Sequence, residues 1–253
     1  MKTTQLFITS LKNELISVLL LIALWGGASL FFPAYIIPTP TAVLSAIGTY
    51  LTPDFMQQCG LTLYRVLIGF SVSFLLGTTL GVITVVKKWE NPIQTLMMAL
   101  QVLPGVILGV IFVLMFGIGS TAPILLILCV VLPTVVINTI NGLSKRNRAL
   151  EEVLLSLKSK PAFILRYSFL PALVPVFQSN LSLGLSLAMK VVVLGEFVGS
   201  QDGLGYLLNN ARIFFDMKAV FFYVLVLLGV TLIFQALQSL VFATTFKRYY
   251  YAE

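Results

Sequence analysis

The reading of this chain turns on "EEVLLSLKSKPAFILRYSFLP", residues 151–171. Leu150, Val153, Leu154 and Leu157 recur at i, i+3, i+4 and i+7, so one helical face is apolar. Glu151 and Glu152 fall in the first turn, where carboxylates suit the positive end of the helix dipole. Lys158 and Lys160 stand at the other end, where cations suit it. Pro161 fits the first position of a second helix, which continues through Phe163, Ile164 and Tyr167. The segment reads as a helix–turn–helix. Its apolar face either dips into lipid or fills a groove on a partner.

The flanks are far greasier. The 253 residues are 58% hydrophobic and only 10% charged, where a soluble domain carries about 25% charge. An all-α polytopic membrane protein is expected, with a single transmembrane domain over 1–253. A helical span needs about 20 apolar residues, and six stretches qualify or nearly so: 15–32, 66–86, 96–116, 122–140, 172–199 and 219–246. Pro104 and Pro133 interrupt the third and fourth and predict kinks there. Lys2 and Lys12 precede the first run, but Phe31-Phe32-Pro33 is a poor cleavage site, so the run reads as a retained span over 1–36. In "IIPTPTAVLSAIGTYL", proline and threonine mark the start of a short helix on the outer loop. Ser73, Gly77 and Gly81 at four-residue spacing predict close helix packing.

The net charge of +7 follows membrane topology rather than nucleic acid. With the N-terminus cytoplasmic, Arg65, Arg212 and Lys218 are outside, Lys190 is in the membrane, and the other twelve of the 16 Lys and Arg are inside. Both termini and the 145–171 loop are therefore expected in the cytoplasm. The chain has no histidine, which removes Ser–His and HExxH chemistry. Ser186 in Gly184-Leu185-Ser186-Leu187 then reads as a packing residue. There is no GxxxxGK[ST] loop to bind nucleotide, and Cys59 and Cys129 lack metal-site spacing.

Several motifs, in order, resemble the inner-membrane permease subunits of ATP-binding-cassette importers, over about residues 37–240. The 151–171 segment is similar to the family's EAA loop, with Glu152 at the Glu position and Leu170-Pro171 at the expected distance. "TLYRVLIGFSVSFLLGTTLG", "VLMFGIGSTAPILLI" and "LGEFVGSQDGLGYLLNNARIFFD" resemble further stretches of the family pattern. The likeness is greatest to the nitrate, sulfonate, taurine and thiamine-precursor group. Two positions depart: Leu154 stands where the family has its second Ala, and Lys158 where it has Gly. A left-handed lysine costs roughly 1–2 kcal/mol, so either the turn is built differently here or the strain is tolerated.

The resemblance implies a permease core over 37–246 and a coupling loop over 145–171. It assigns Glu151, Glu152, Leu154, Leu157, Lys158, Ser159, Lys160, Pro161 and Phe163 to contact with a cytoplasmic ATPase. That ATPase, in two copies, would bind ATP and Mg, with no cofactor or catalytic residue in this chain. It also implies a second permease copy in a homodimer, a periplasmic or lipid-anchored solute-binding protein, and a place in the bacterial cytoplasmic membrane among its lipids. Met189, Lys190 and Glu196 are candidates for the solute path, since charge within a span is a functional candidate by default. Glu196 is also placed to make an outer-surface or subunit contact. Lys190 could attract an anion, pair with an acid on another helix, or snorkel. The substrate expected is a small organic solute or anion: a thiamine pyrimidine precursor, sulfonate, taurine or nitrate. A stand-alone secondary transporter or channel is the alternative, though such a protein usually carries more membrane carboxylates.

Overall fold

A computed structural model describes residues 2–245. Phe246, Lys247 and Arg248, which close the sixth expected span and add to its cytoplasmic charge, lie outside the described residues, as does the side chain of Pro161. The described residues are helical, with no strand among them. They form two compact units, one joining the chain up to Met56 with Leu207–Val226, the other joining Gln57–Tyr206 with the chain from Leu227.

In the first unit, α1 (Lys2–Phe31) leads to two short helices, α2 (Pro40–Ser45) and α3 (Ile47–Tyr50). The short helix expected from "PTPT" forms because Thr39 caps it: its hydroxyl accepts from the Ala42 amide, and Pro40 takes the first turn. Trp25 stacks on Phe221 at 5.2 Å and donates its indole N–H to the Pro38 carbonyl. Tyr50 donates to the Asp216 carboxylate at 3.0 Å, and its ring neighbours those of Phe222 and Tyr223. Burial first, then the Asp216 hydrogen bond, pushes the Tyr50 phenol up to about 12.

The second unit is built on α4 (Pro53–Lys87), α7 (Thr121–Ser144) and α10 (Leu170–Gly199). Val66 and Phe70, Ile127 and Val131, and Ala188 and Val192 meet in one apolar core. The small-residue face of α4 packs as expected. A Cβ on Gly81 would stand 2.6 Å from that of Thr139, so α4 and α7 touch at backbone distance there.

Among the described residues, four helices are long and apolar enough to cross a membrane: Pro53–Lys87, Thr121–Ser144, Ala162–Gly199 and Met217–Val241. The last of these lies within α12 (Met217–Thr245). The span expected at 96–116 is not one kinked helix. It is α5 (Glu90–Gln101) and α6 (Gly105–Phe116), set at 81° to each other. Pro104 stands extended ahead of α6, and its missing N–H together with the restriction it imposes on Leu103 breaks the helix. The first expected span corresponds to Val18–Phe31, a shorter apolar stretch of α1. Pro133, by contrast, is absorbed inside a continuous α7.

Candidate functional site

The 151–171 segment folds as a tightly capped helix and a turn. Asn147 accepts from the Leu150 amide at 3.0 Å and starts α8 (Arg148–Ser156). At the other end the Lys158 amide bonds Leu155 O at 2.9 Å and the Ser159 amide bonds Leu154 O at 3.0 Å. That bond pair is the Schellman closure, which requires a left-handed residue between helix and turn. Lys158 supplies it at φ 50°. The turn is therefore made where glycine would make it, and lysine bears the strain.

Arg146 holds the loop to the membrane core. Its Nε donates to Glu151 Oε2 at 2.9 Å, and its guanidinium lies 4.8 Å over the Phe169 ring. Glu151 is thus tied internally, whereas Glu152 is exposed. Leu157 is 70% and Phe163 51% exposed, and Leu154 is half-buried. Lys158 and Lys160 are exposed and Ser159 is half-buried. A cavity of about 670 Å³ opens beside α8, bounded by Glu90, Asn91, Arg146, Glu152 and Leu155.

The second short helix does not stop after Tyr167. α9 (Pro161–Ile164) passes through a π turn over Leu165–Phe169 straight into α10, giving one helix over Ala162–Gly199. Pro171 cannot donate four residues back, and the wide turn stands just ahead of it.

A second constellation joins residues the sequence left separate. Arg65 and Glu196 have no exposed surface and pair at 2.8 Å. Glu196 also accepts from the Thr62 hydroxyl at 2.9 Å and the Gly205 amide at 2.8 Å. Arg65 donates to the Ser120 hydroxyl, the Asp202 carbonyl and the Asp202 carboxylate. Gly203 lies at φ 95°, and a Cβ there would stand 2.4 Å from the Glu196 carboxylate, so "DGLG" wraps that carboxylate closely. At Asp202 burial opposes ionisation, but hydrogen bonds from Arg65 and Ser200 and the Arg65 charge outweigh it and hold the pKa below the usual value.

This placement corrects the expectation for Arg65, which is not an outer-loop charge but a buried one within α4. Of the three residues expected on the solute path, Glu196 is sealed in the clamp rather than at a surface, and Met189 packs in the apolar core. Lys190 is exposed, with no ion-pair partner among the described residues. No acid on another helix pairs with it among the described residues, and Glu196, on its own helix, is taken by Arg65. The Arg65–Glu196 tie spans 131 residues, and the only sequence signal for it was one arginine and one glutamate, each isolated in apolar surroundings.

The site thus comprises a bent pair of short helices between long spans, a capped loop with exposed leucines, and a buried clamp joining α4 to α10. Residues 73–246 match the binding-protein-dependent transport system inner membrane component. The chain belongs to this family and is a permease subunit of an ABC importer, a multi-pass inner-membrane protein. It is similar to the formylaminopyrimidine transport permease protein ThiX of Halalkalibacterium halodurans, 27% identical over 84% of this chain and 86% of that one. It is 30% identical to the riboflavin transport system permease protein RibX of Chloroflexus aurantiacus, over 89% and 85%. To the putative aliphatic sulfonates transport permease protein SsuC of Escherichia coli it is 31% identical, over 79% and 78%. Its fold resembles the inward-facing MetNI methionine ABC transporter, with a TM-score of 0.65 at 19% identity over 74% of this chain and 93% of that one.

Proposed function

We propose that residues 148–167 seat in a groove of a separate cytoplasmic ATPase and transmit its closure to the spans. The observation that carries this is the exposure of Leu157 and Phe163 on a segment otherwise capped and pinned at both ends. A leucine held rigidly in the open is matched to a partner surface rather than to water. The ring of Phe163 stacks on Tyr167 at 6.0 Å, which stiffens the second contact.

In this reading two copies of the chain form a homodimer, and two ATPase subunits bind ATP and Mg against the two loops. A periplasmic or lipid-anchored binding protein delivers the solute, and the spans alternate between inward- and outward-open forms. The loop and both termini face the cytoplasm. ATP can drive the switch only if the loop contacts differ between the two forms. Glu152, Lys158 and Lys160 supply rim charges. The solute is a small organic molecule or anion, a range supported by the formylaminopyrimidine, riboflavin and sulfonate relatives.

Leu157→Asp places a charge in the groove. Uptake should fall to background while the variant inserts normally and the ATPase, if still bound, hydrolyses without transport. Normal uptake by this variant would remove the assignment.

A further inference from the structure

We infer that the open side of α7 and α10 forms a hydrated, positively biased groove that takes a small organic anion, with Lys190 as its charge. This rests on the permease reading above and narrows its range of solutes.

The argument starts from two stripes. On α7, Thr134, Asn138, Asn141 and Lys145 recur at i, i+4, i+7 and i+11, and so share one face. On α10, Ser179, Leu183, Ser186 and Lys190 recur with the same spacing. The stripes meet where Asn138 Nδ2 donates to Ser179 Oγ at 3.0 Å. A cavity of about 320 Å³ opens at that point, bounded by Asn138, Lys145, Pro175 and Ser179. Asn141, Lys145, Leu183 and Lys190 are exposed.

Part of this polarity is interhelical adhesive, because Asn138 also donates to Asn180 Oδ1 and Asn180 donates to the Thr139 hydroxyl. The adhesive continues on exposed surface, where Gln235 of α12 donates to the Ser186 hydroxyl at 2.8 Å, and it leaves Lys145 and Lys190 outside it. Gln101 on α5 donates to the Thr134 hydroxyl at 2.9 Å, and Gln94 donates to the Asn141 carbonyl at 3.2 Å, both on exposed surface. A row of amides and a free ammonium is costly against lipid, and is tolerated where the face lines a water-filled path.

Charge then selects the solute. α7, α10 and α12 together contain one carboxylate, Glu196, and Arg65 neutralises it. Apart from Lys218 in the first turn of α12, that leaves Lys190 as the uncompensated charge on these helices. Lys190 stands three turns along α10 from Ser179, and Lys145 closes the other end of the α7 stripe. Between the lysines, α7 and α10 offer amide and hydroxyl groups and no unpaired acid, while Glu90, one turn from Gln94 on α5, lines the cavity of about 670 Å³ beside Ser144. Such a lining favours a carboxylate or sulfonate over a cation, and over a neutral solute of the same size.

The test reads the groove without needing transport or the ATPase, so it can fail while the permease reading stands. Cys59 and Cys129 are replaced by alanine and Leu183→Cys is introduced in the full chain, reconstituted in phosphatidylcholine–phosphatidylglycerol vesicles. Thiol modification is followed with an anionic sulfonatoethyl and a cationic trimethylammonioethyl methanethiosulfonate, each rate normalised to free cysteine. Lys190 lies about 10 Å along the helix from position 183. At that distance and low ionic strength the anion should react about fourfold faster relative to the cation. Lys190→Met should abolish the preference and Lys190→Arg should keep it. Millimolar ethanesulfonate should slow the labelling, and neutral 4-aminopyrimidine should not. A cysteine inert to both reagents, a preference that survives Lys190→Met, or protection by the aminopyrimidine alone would each overturn the inference.

Discussion

Replacing Arg65 by methionine should be among the most damaging single changes in this protein. The substitution keeps an unbranched apolar stem and removes the guanidinium with its charge and donors. Glu196, with no exposed surface, is left with two neutral donors, the Thr62 hydroxyl and the Gly205 amide. Removing one member of a buried ion pair costs about 3–5 kcal/mol, because the other charge stays buried and unpaired. Glu196→Gln should cost less, about 1–3 kcal/mol, since Arg65 keeps Asp202 and Ser120. The double variant should be more stable than the sum of the single losses, by about 0.5–3 kcal/mol, because each change removes the group the other strands. At about 2–4 °C per kcal/mol for a chain of this size, Arg65→Met lowers the unfolding midpoint by roughly 10 °C. The assay is thermal unfolding in detergent, followed by a thiol-reactive fluorophore at the native Cys59 and Cys129, both free. An Arg65→Met midpoint equal to the parent's, or a double variant equal to the sum, would refute the clamp.

Three further outcomes follow from the same geometry. Lys158→Gly relieves a left-handed lysine, worth roughly 1 kcal/mol, so the Ser159 amide, bonded to Leu154, should exchange hydrogen more slowly, whereas Lys158→Val should speed it. Gly205→Ala puts a Cβ 2.4 Å from the Val193 carbonyl and 2.7 Å from Glu196 Cβ, and should sharply reduce the yield of folded protein in size-exclusion chromatography. Asp202 has a depressed folded pKa, so its contribution is present above the unfolded value of about 3.9 and is lost as pH falls through the folded one. Asp202→Asn should lower the midpoint at pH 7, and the gap from the parent should close on acidification below about pH 4.

The local features were legible in the sequence because each is set by neighbours along the chain. The leucine spacing of α8, the turn ahead of Pro161 and the Thr39–Pro40 helix start all depend on residues within one or two turns. So does the packing face of Ser73, Gly77 and Gly81. Lys158 showed the limit of such reading. Its position fixed where the turn must fall, but whether lysine would accept φ 50° depended on the two closing bonds to Leu154 and Leu155. Pro104 marked a kink, but the 81° angle between α5 and α6 depends on tertiary packing that periodicity does not carry. The clamp was hidden for a simpler reason. Arg65 lies at the edge of an apolar run, where an arginine reads equally as a loop charge. Only the fold brings it to Glu196, and that meeting takes Glu196 off the expected solute path, as burial in the apolar core separately takes Met189. The same fold joins Asn138 to Ser179, which periodicity alone would have left as unrelated polar positions.

The most direct measurement of the central claim is capture of an ATPase by the loop itself. The full-length chain, tagged and extracted in mild detergent from cells expressing it with the genes that flank its own, should retain a P-loop ATPase in equal amount. Cysteines placed at Leu157 or Phe163 should crosslink to that ATPase, and those placed on the 33–39 loop should not. Purified chain that moves solute with no ATPase present, or residues 151–171 labelled by a membrane-impermeant reagent from outside the cell, would contradict it.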